Sequence, residues 1–320
     1  MTTLAAIEAA AARMAGHVRV TPLLNAPLLD RLAGRRVFVK AECLQVTGSF
    51  KARGGWAAVS ALPRGTAGVL AMSSGNHAQG VAWAAAAHGV TAVILMPADA
   101  PAVKVANTRA YGAEVVLYDR AKEDRDALAA RLSAERGLVL VPPFDHAQVI
   151  AGQGSVGLEI ATQAAAVGVE QAEVLVCCGG GGLAAGVATA LAAKAPGLRV
   201  RTVEPVGFDD MARSLATGRP QRNATATGSI CDAILTPAPG KLTLPVLQRL
   251  AGPGLAVTDD DAMRAMAAAF THLRLVAEPG GAVALAAALF RDDLPDTVIC
   301  TVSGGNVDPA LFAQTLSRYA

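Results

Sequence analysis

Short apolar runs alternate with longer stretches of small residues along this chain. The runs "RVFVKAE" (36–42), "GVLAMS" (68–73), "TAVILMP" (91–97), "AEVVLY" (113–118), "LVLVPP" (138–143), "EVLVCC" (173–178), "RVRTVEP" (199–205) and "TVICTVS" (297–303) are bounded by glycine, proline or charge. Near-continuous aliphatic and β-branched runs of this length predict parallel strands buried on both faces. Between them, "HAQGVAWAAAAHG" and "LAAGVATALAAKAPG" are alanine-rich and close on a glycine, which suits a helix C-terminus. The alternation predicts an α/β protein with crossover helices. The opening "MTTLAAIEAAAARMAG" has no basic start and is interrupted by Glu8, so an ordinary first helix is expected rather than a targeting peptide.

Composition narrows what such a fold does. A chain of 320 residues, 52% hydrophobic and 17% charged, has material for about two domains with buried cores. The net charge of +2, from 28 basic and 26 acidic residues without a like-charged run, excludes a nucleic-acid or membrane-surface footprint. The uncharged run from Val174 to Ala193 has the length to span a bilayer but holds four consecutive glycines, which argues against a membrane helix. Five cysteines (Cys43, Cys177, Cys178, Cys231, Cys300) contain no Cys-x-x-Cys pair, and the expectation is buried thiols in a reducing cytoplasm. Cys177 and Cys178, adjacent on a strand, should face opposite ways.

Three predicted strands end in glycine-rich turns, where open parallel sheets hold ligands. "MSSGNHAQG" (72–80) offers backbone N–H groups and hydroxyls; "CCGGGGLAAG" (177–186) lets an anion approach bare backbone at a helix N-terminus; "TVSGGNVD" (301–308) ends on a serine and two glycines. A fourth turn, "GSFKARGG" (48–55), sets Lys51 after an aromatic residue. Each element has a plainer reading. Lys51 alone is most often a solvated lysine, and His77 alone a structural one. Gly179, Gly181 and Ala184 with Glu204 downstream also satisfy a dinucleotide fingerprint, which keeps a nicotinamide-dependent dehydrogenase as an alternative. That alternative leaves the lysine turn and the two serine turns without a role. One lysine, a phosphate cradle and a hydrogen-bonding strand end are together what pyridoxal phosphate requires: an amine for its aldehyde, an anion site, a partner for its ring nitrogen and a face against its ring.

In this order, "GSFKARG", "SSGNHAQG", "VIAGQGSVGLEI", "GGGGL", "EP" followed by "DD", and "SGGN" resemble the fold-type II pyridoxal-phosphate enzymes, in particular their serine/threonine dehydratase and serine racemase branch. The resemblance covers nearly the whole chain. It implies a tryptophan synthase β-like architecture of two open, twisted, mostly parallel sheets with flanking helices. A large cofactor domain would be formed by residues 1–67 and 146–320, and a small mobile domain by 68–145. It implies that Lys51 carries the cofactor as a Schiff base and later acts as base, that Phe50 packs near the ring, and that Asn76 meets the phenolic oxygen. Gly179, Gly180, Gly181, Gly182 and Leu183 would cradle the phosphate, and Ser303 would meet the ring nitrogen. Ser73, Ser74, Gly75, Asn76 and His77 would hold the substrate carboxylate.

The implied reaction is dehydration and deamination of a β-hydroxy amino acid such as L-threonine or L-serine, giving a 2-oxo acid and ammonia. Ser74 matches the second acid/base of racemases, and amino-acid racemisation and 3-hydroxyaspartate dehydration stay open as alternatives. So does a catalytically inactive binding protein. Arg125 falls where the family carries a substrate-responsive arginine, although "EDRDALAARL" is also an ordinary charged helix. Glu204, Asp210 and the carbonyl of Phe208 match positions that bind a divalent cation (Mg2+, Ca2+ or Mn2+) in racemase-like members; the plainer reading is that Asp209 or Asp210 caps the following helix. A cytoplasmic homodimer acting on a small amino acid is expected. The chain departs from its relatives at Pro143-Phe144-Asp145-His146-Ala147 and at Gly55, which leaves the preferred substrate open.

Overall fold

In the computed structural model, which describes residues 2–100, 102–119 and 121–320, the eight predicted strands all form. In chain order the strands are β1 (Leu23–Leu24), β2 (Arg36–Ala41), β3 (Gly68–Met72), β4 (Thr91–Pro97), β5 (Glu114–Tyr118), β6 (Leu138–Leu140), β7 (Ala172–Cys177), β8 (Leu198–Pro205), β9 (Leu255–Val257) and β10 (Thr297–Val302). β1 and β9, of two and three residues, are the strands the sequence misses; β6 is no longer than β9 but lies in the longer apolar run Leu138 to Val141.

Two sheets result. Six strands run in the order β1-β2-β10-β7-β8-β9, and four in the order β5-β4-β3-β6. Every pairing is parallel except the edge pair β1–β2. Val37 and Val39 pack with Leu175, Cys177 and Val203 on one face of the larger sheet, while Phe38 packs with Val174, Val176 and Ile299 on the other. Both faces are covered, which is why these strands read as unbroken apolar runs. Each fully buried aliphatic side chain contributes about 1.5–3 kcal/mol. Cys177 and Cys178 divide between the two faces as expected, and all five cysteines are buried and free. No helix among the described residues is long and apolar enough to cross a membrane.

One helix crossing positions the chemistry. The helix Lys51–Val59 lies against the helix Asn76–Ala87. At the contact a Cβ on Gly55 would stand 2.5 Å from the Gly80 carbonyl oxygen, and one on Gly80 would stand 2.7 Å from that of Lys51. The two backbones approach at these glycines because nothing larger fits. The lysine turn and the serine–asparagine turn therefore open onto the same space.

Candidate active site

A cavity of about 390 Å³ is lined by Phe50, Lys51, Ser73 to His77, Gly179 to Leu183 and Ser303. These come from four separate turns, each at the carboxyl end of a strand or the start of a helix. The wall also includes Met72, Lys104, Arg125, Pro143, Phe144, Gln153, Cys177, Asp232 and Glu278.

Lys51 is the first residue of its helix, and its Nζ donates to the Pro143 carbonyl at 2.7 Å. The amine lies 5.0 Å from the centre of the Phe50 ring. Desolvation lowers its pKa to about 8, against an opposing pull from Glu278. A much larger fraction of neutral, nucleophilic amine is present near neutrality than for a solvated lysine. The turn is tied to the third glycine-rich strand end: the Phe50 N–H donates to the Ser303 carbonyl at 3.1 Å, and the Ser303 N–H to the Gly281 carbonyl at 3.0 Å. Ser303, at the end of β10, is 3% exposed.

The glycine loop leads into the helix Gly182–Lys194, whose N-terminus has no side-chain cap. Its first N–H groups and the positive end of its dipole are thus free for an anion. Gly181 has φ +90°, and a Cβ there would meet the Met211 methyl at 2.6 Å; one on Gly180 would lie 2.3 Å from the Phe144 ring. Thr243 Oγ1 fixes the loop by donating to the Gly180 carbonyl at 2.6 Å. The arrangement fits a phosphate approached by backbone N–H groups.

Asn76 is 8% exposed and held at both ends of its amide. Its Nδ2 donates to Glu278 Oε1 at 2.5 Å, and its Oδ1 accepts from Asn306 Nδ2 at 2.7 Å. One Nδ2 hydrogen is left for a ligand. Burial raises the Glu278 carboxyl to about 7, with the Asn76 hydrogen bond pulling the other way. Sequence reasoning misses Glu278. The available signal is an acidic residue set in "LRLVAEPGGAVALAAALF" immediately before a proline, because a carboxylate in such a run needs a reason to be buried.

His77 Nε2 donates to the Val141 carbonyl at 2.7 Å, while its Nδ1 has no partner. Burial, and next the charge of Lys51, lower its pKa to about 3, so the ring is neutral. Ser73 Oγ accepts from the Gly75 N–H at 3.2 Å. Arg125 reaches the cavity wall but pairs with its exposed neighbour Asp126 at 3.1 Å. Lys104 pairs with Asp232 at 2.8 Å, joining the unit of the smaller sheet to that of the larger. In the departing segment, Phe144 packs on Gly180 and the Asp145 carboxylate accepts from the Leu242 and Lys241 N–H groups at 2.7 and 3.0 Å.

Glu204, Phe208 and Asp210 do not line this cavity. Glu204, near the end of β8, caps the helix Asp210–Thr217: its Oε1 accepts from the Met211 N–H at 2.9 Å and its Oε2 from the Ala212 N–H at 2.7 Å. Asp209, which the sequence offers as a cap, makes no side-chain cap bond. Asp210 Oδ1 accepts from Asn223 at 2.6 Å, but its Oδ2 is buried without a partner. Burial, and then the charge of Asp210, raise Glu204 well above the usual carboxylate range. Among the described residues no cluster of three or more His, Cys, Asp or Glu has metal-binding geometry.

The family model described as "Pyridoxal-phosphate dependent enzyme" matches residues 14–305. An L-threo-3-hydroxyaspartate ammonia-lyase from Pseudomonas sp is 39% identical, covering 96% of this chain and 96% of its own length. A serine racemase from Oryza sativa subsp. indica is 37% identical over 98% of this chain and 93% of its own. The crystal structure of a threonine deaminase from T.th. superposes with a TM-score of 0.91 at 45% identity, covering 96% of this chain and 99% of that one.

Proposed function

The chain belongs to the pyridoxal-phosphate dependent enzymes, and from that we propose that it dehydrates and deaminates a β-hydroxy amino acid to a 2-oxo acid and ammonia. The observation that carries the reading is the convergence of the Lys51 amine, the glycine-loop anion cradle and the Ser303 strand end on one cavity. The cofactor, when bound, supplies an electron-accepting ring conjugated to the substrate amine. Gly179 to Leu183 hold its phosphate, Phe50 packs beside its ring, Asn76 meets its phenolic oxygen and Ser303 meets its ring nitrogen. Ser73 to His77, at the start of the helix Asn76–Ala87, hold the substrate carboxylate with backbone N–H groups. Lys51 Nζ, part neutral because of its desolvation, takes the α-proton. The proton taken by Lys51 is passed to the β-hydroxyl, which departs as water, and the released enamine tautomerises and hydrolyses in solution to the 2-oxo acid and ammonia. Residues 68–145 act as a small mobile domain that closes over the cavity and excludes water.

Ser74 lines the same cavity as Lys51, which supports racemisation as a second activity. The test is a panel of L- and D-serine, L-threonine and threo-3-hydroxyaspartate, following 2-oxo acid release and enantiomer composition together. We expect 2-oxo acid from at least one of them to exceed racemisation. Racemisation without 2-oxo acid would reverse the assignment, and no reaction with any would sink it.

We also propose that Glu204, Asp210 and the Phe208 carbonyl hold a divalent cation, an idea that rests on the orphaned Asp210 Oδ2 and on oxygen donors suited to a hard cation. Burial raises Asp210 from 3.8 to about 6. A carboxyl raised in the folded state stabilises it fully below its unfolded pKa, and that contribution is lost as pH rises through the folded pKa. Without cation, stability should therefore fall as pH rises from about 4 to about 6. Added Mg2+, Ca2+ or Mn2+ should restore the melting temperature above about pH 6 and leave it unchanged below about pH 4. A melting curve indifferent to chelator and cation on the alkaline side of this window would leave Glu204 as a helix cap alone.

A further inference from the structure

Gln153 is the one side chain whose amide is fully buried with neither end hydrogen-bonded among the described residues. It projects from the helix Ala147–Ala166 into the cavity wall. Its position is set by two glycines that leave room for it. A Cβ on Gly182, the first residue of the helix behind the glycine loop, would stand 2.6 Å from Gln153 Oε1; a Cβ on Gly54, three residues after Lys51, would stand 2.9 Å from Nε2. The amide is thus wedged between the lysine helix and the first turn of the helix that begins at the anion cradle.

A buried amide left without partners is disfavoured unless a ligand supplies them. What the cradle lacks is a donor other than backbone. Of the cationic side chains lining the cavity, Lys51 donates to the Pro143 carbonyl, while Lys104 and Arg125 are paired with Asp232 and Asp126. A dianion at Gly179 to Leu183 therefore meets no free lysine or arginine of the loop. Amide oxygen and nitrogen occupy interchangeable positions, so a half-turn about the last side-chain bond aims the Nε2 hydrogens at the cradle and Oε1 at the lysine helix.

We propose that Gln153 is a phosphate ligand, its amide donating to the cofactor's phosphate at the N-terminus of the helix Gly182–Lys194. This rests on the pyridoxal-phosphate reading above. The experiment compares Gln153→Met, of similar length without donors, and Gln153→Glu, of the same shape with a charge. Equilibrium binding of pyridoxal phosphate and of phosphate-free pyridoxal to cofactor-stripped full-length protein is followed by visible absorbance. Gln153→Met should weaken pyridoxal phosphate about tenfold, as expected for one hydrogen bond to a charged group, and leave pyridoxal unchanged. Gln153→Glu should weaken pyridoxal phosphate further, again sparing pyridoxal, and the thermal protection that inorganic phosphate gives the wild type should be reduced in both.

Equal losses for pyridoxal phosphate and pyridoxal would show a packing role and overturn the proposal, as would unchanged affinity for both. A wild type that binds neither would instead overturn the proposed function on which this rests.

Discussion

Lys51→Ala is expected to abolish 2-oxo acid formation and covalent retention of cofactor after borohydride while leaving a folded protein. The rate loss should exceed about 10⁴-fold, because in the proposed mechanism Lys51 is both the amine for the cofactor and the base, and proton transfer alone supplies about 10²–10⁴. The stability effect has the opposite sign. In cofactor-free protein, burial lowers the amine from 10.5 to about 8, so below that value the wild type holds a desolvated ammonium at a cost that Ala does not carry. For a lysine depressed in the folded state, stability rises with pH between the folded and unfolded values, here from about 8 to 10.5. The cofactor-free variant should therefore melt above the cofactor-free wild type near neutral pH, with the gap closing as pH approaches 10.5. The one bond forfeited, to the Pro143 carbonyl, offsets only about 1 kcal/mol. Turnover within about tenfold of wild type would remove Lys51 from the chemistry, whatever the melting curve does.

What the sequence makes legible follows from how far each signal travels along the chain. Six of the eight expected strands can be read because they are largely buried and so form apolar runs; β5 and β6 are partly exposed and are legible only from their aliphatic residues behind Gly112 and Gly137, while β1 and β9 are not legible, since register with β2 and β8 creates them. The four turns that form the cavity are each local, with glycine or serine at a strand end, so their residues are identifiable without knowing that they meet. Residues that act across the fold are harder. Glu278 meets Asn76 over 202 positions, and Lys104 meets Asp232 over 128. The capping of Asp210–Thr217 shows the same limit: the adjacent Asp209 is the natural candidate, yet Glu204 reaches it because β8 ends facing that helix. Gln153 stands inside "VIAGQGSVGLEI" with no local sign of a role, since only the packing of three helices reveals that its amide is unpaired.

Arg53→Met is expected to cause the largest loss of stability of any single change near the site. Arg53 lies two residues after Lys51 on the same helix, about 200° around it, so the lysine faces the cavity while the guanidinium enters the core. It is fully buried and forked onto two acids: Nε and Nη2 bond Glu42 at 2.8 Å each, and Nη1 and Nη2 bond Glu159 at 2.6 and 2.9 Å. Lys40 joins through Glu159 at 2.5 Å, with its remaining donors on the Thr21 carbonyl and Gln163. Two bases and two acids thus close a neutral network joining β2, the lysine helix and the helix Ala147–Ala166 that bears Gln153. Burial pushes Glu42 up, but the charge and hydrogen bonds of Arg53 outweigh it, and the carboxyl titrates below its usual value.

Removing the guanidinium leaves Glu42 buried without its charge partner, and breaking one side of a buried pair costs about 3–5 kcal/mol. At about 2 °C per kcal/mol or more for a chain this long, the melting temperature should fall by roughly 10 °C. Glu42→Gln in the Arg53→Met background should recover part of the loss, because the uncompensated charge rather than the missing contact dominates. Arg53→Lys should not rescue, since one ammonium cannot fork onto two carboxylates. The acid limb supplies an independent check. Glu42, depressed in the fold, stabilises it above its unfolded value near 4.5, and that share is lost as pH falls through the lower folded pKa. The variant should lack this part of the acid-side decline. Additive losses in the double variant, with an unaltered acid limb, would mean that the network holds the lysine helix by packing and not by charge.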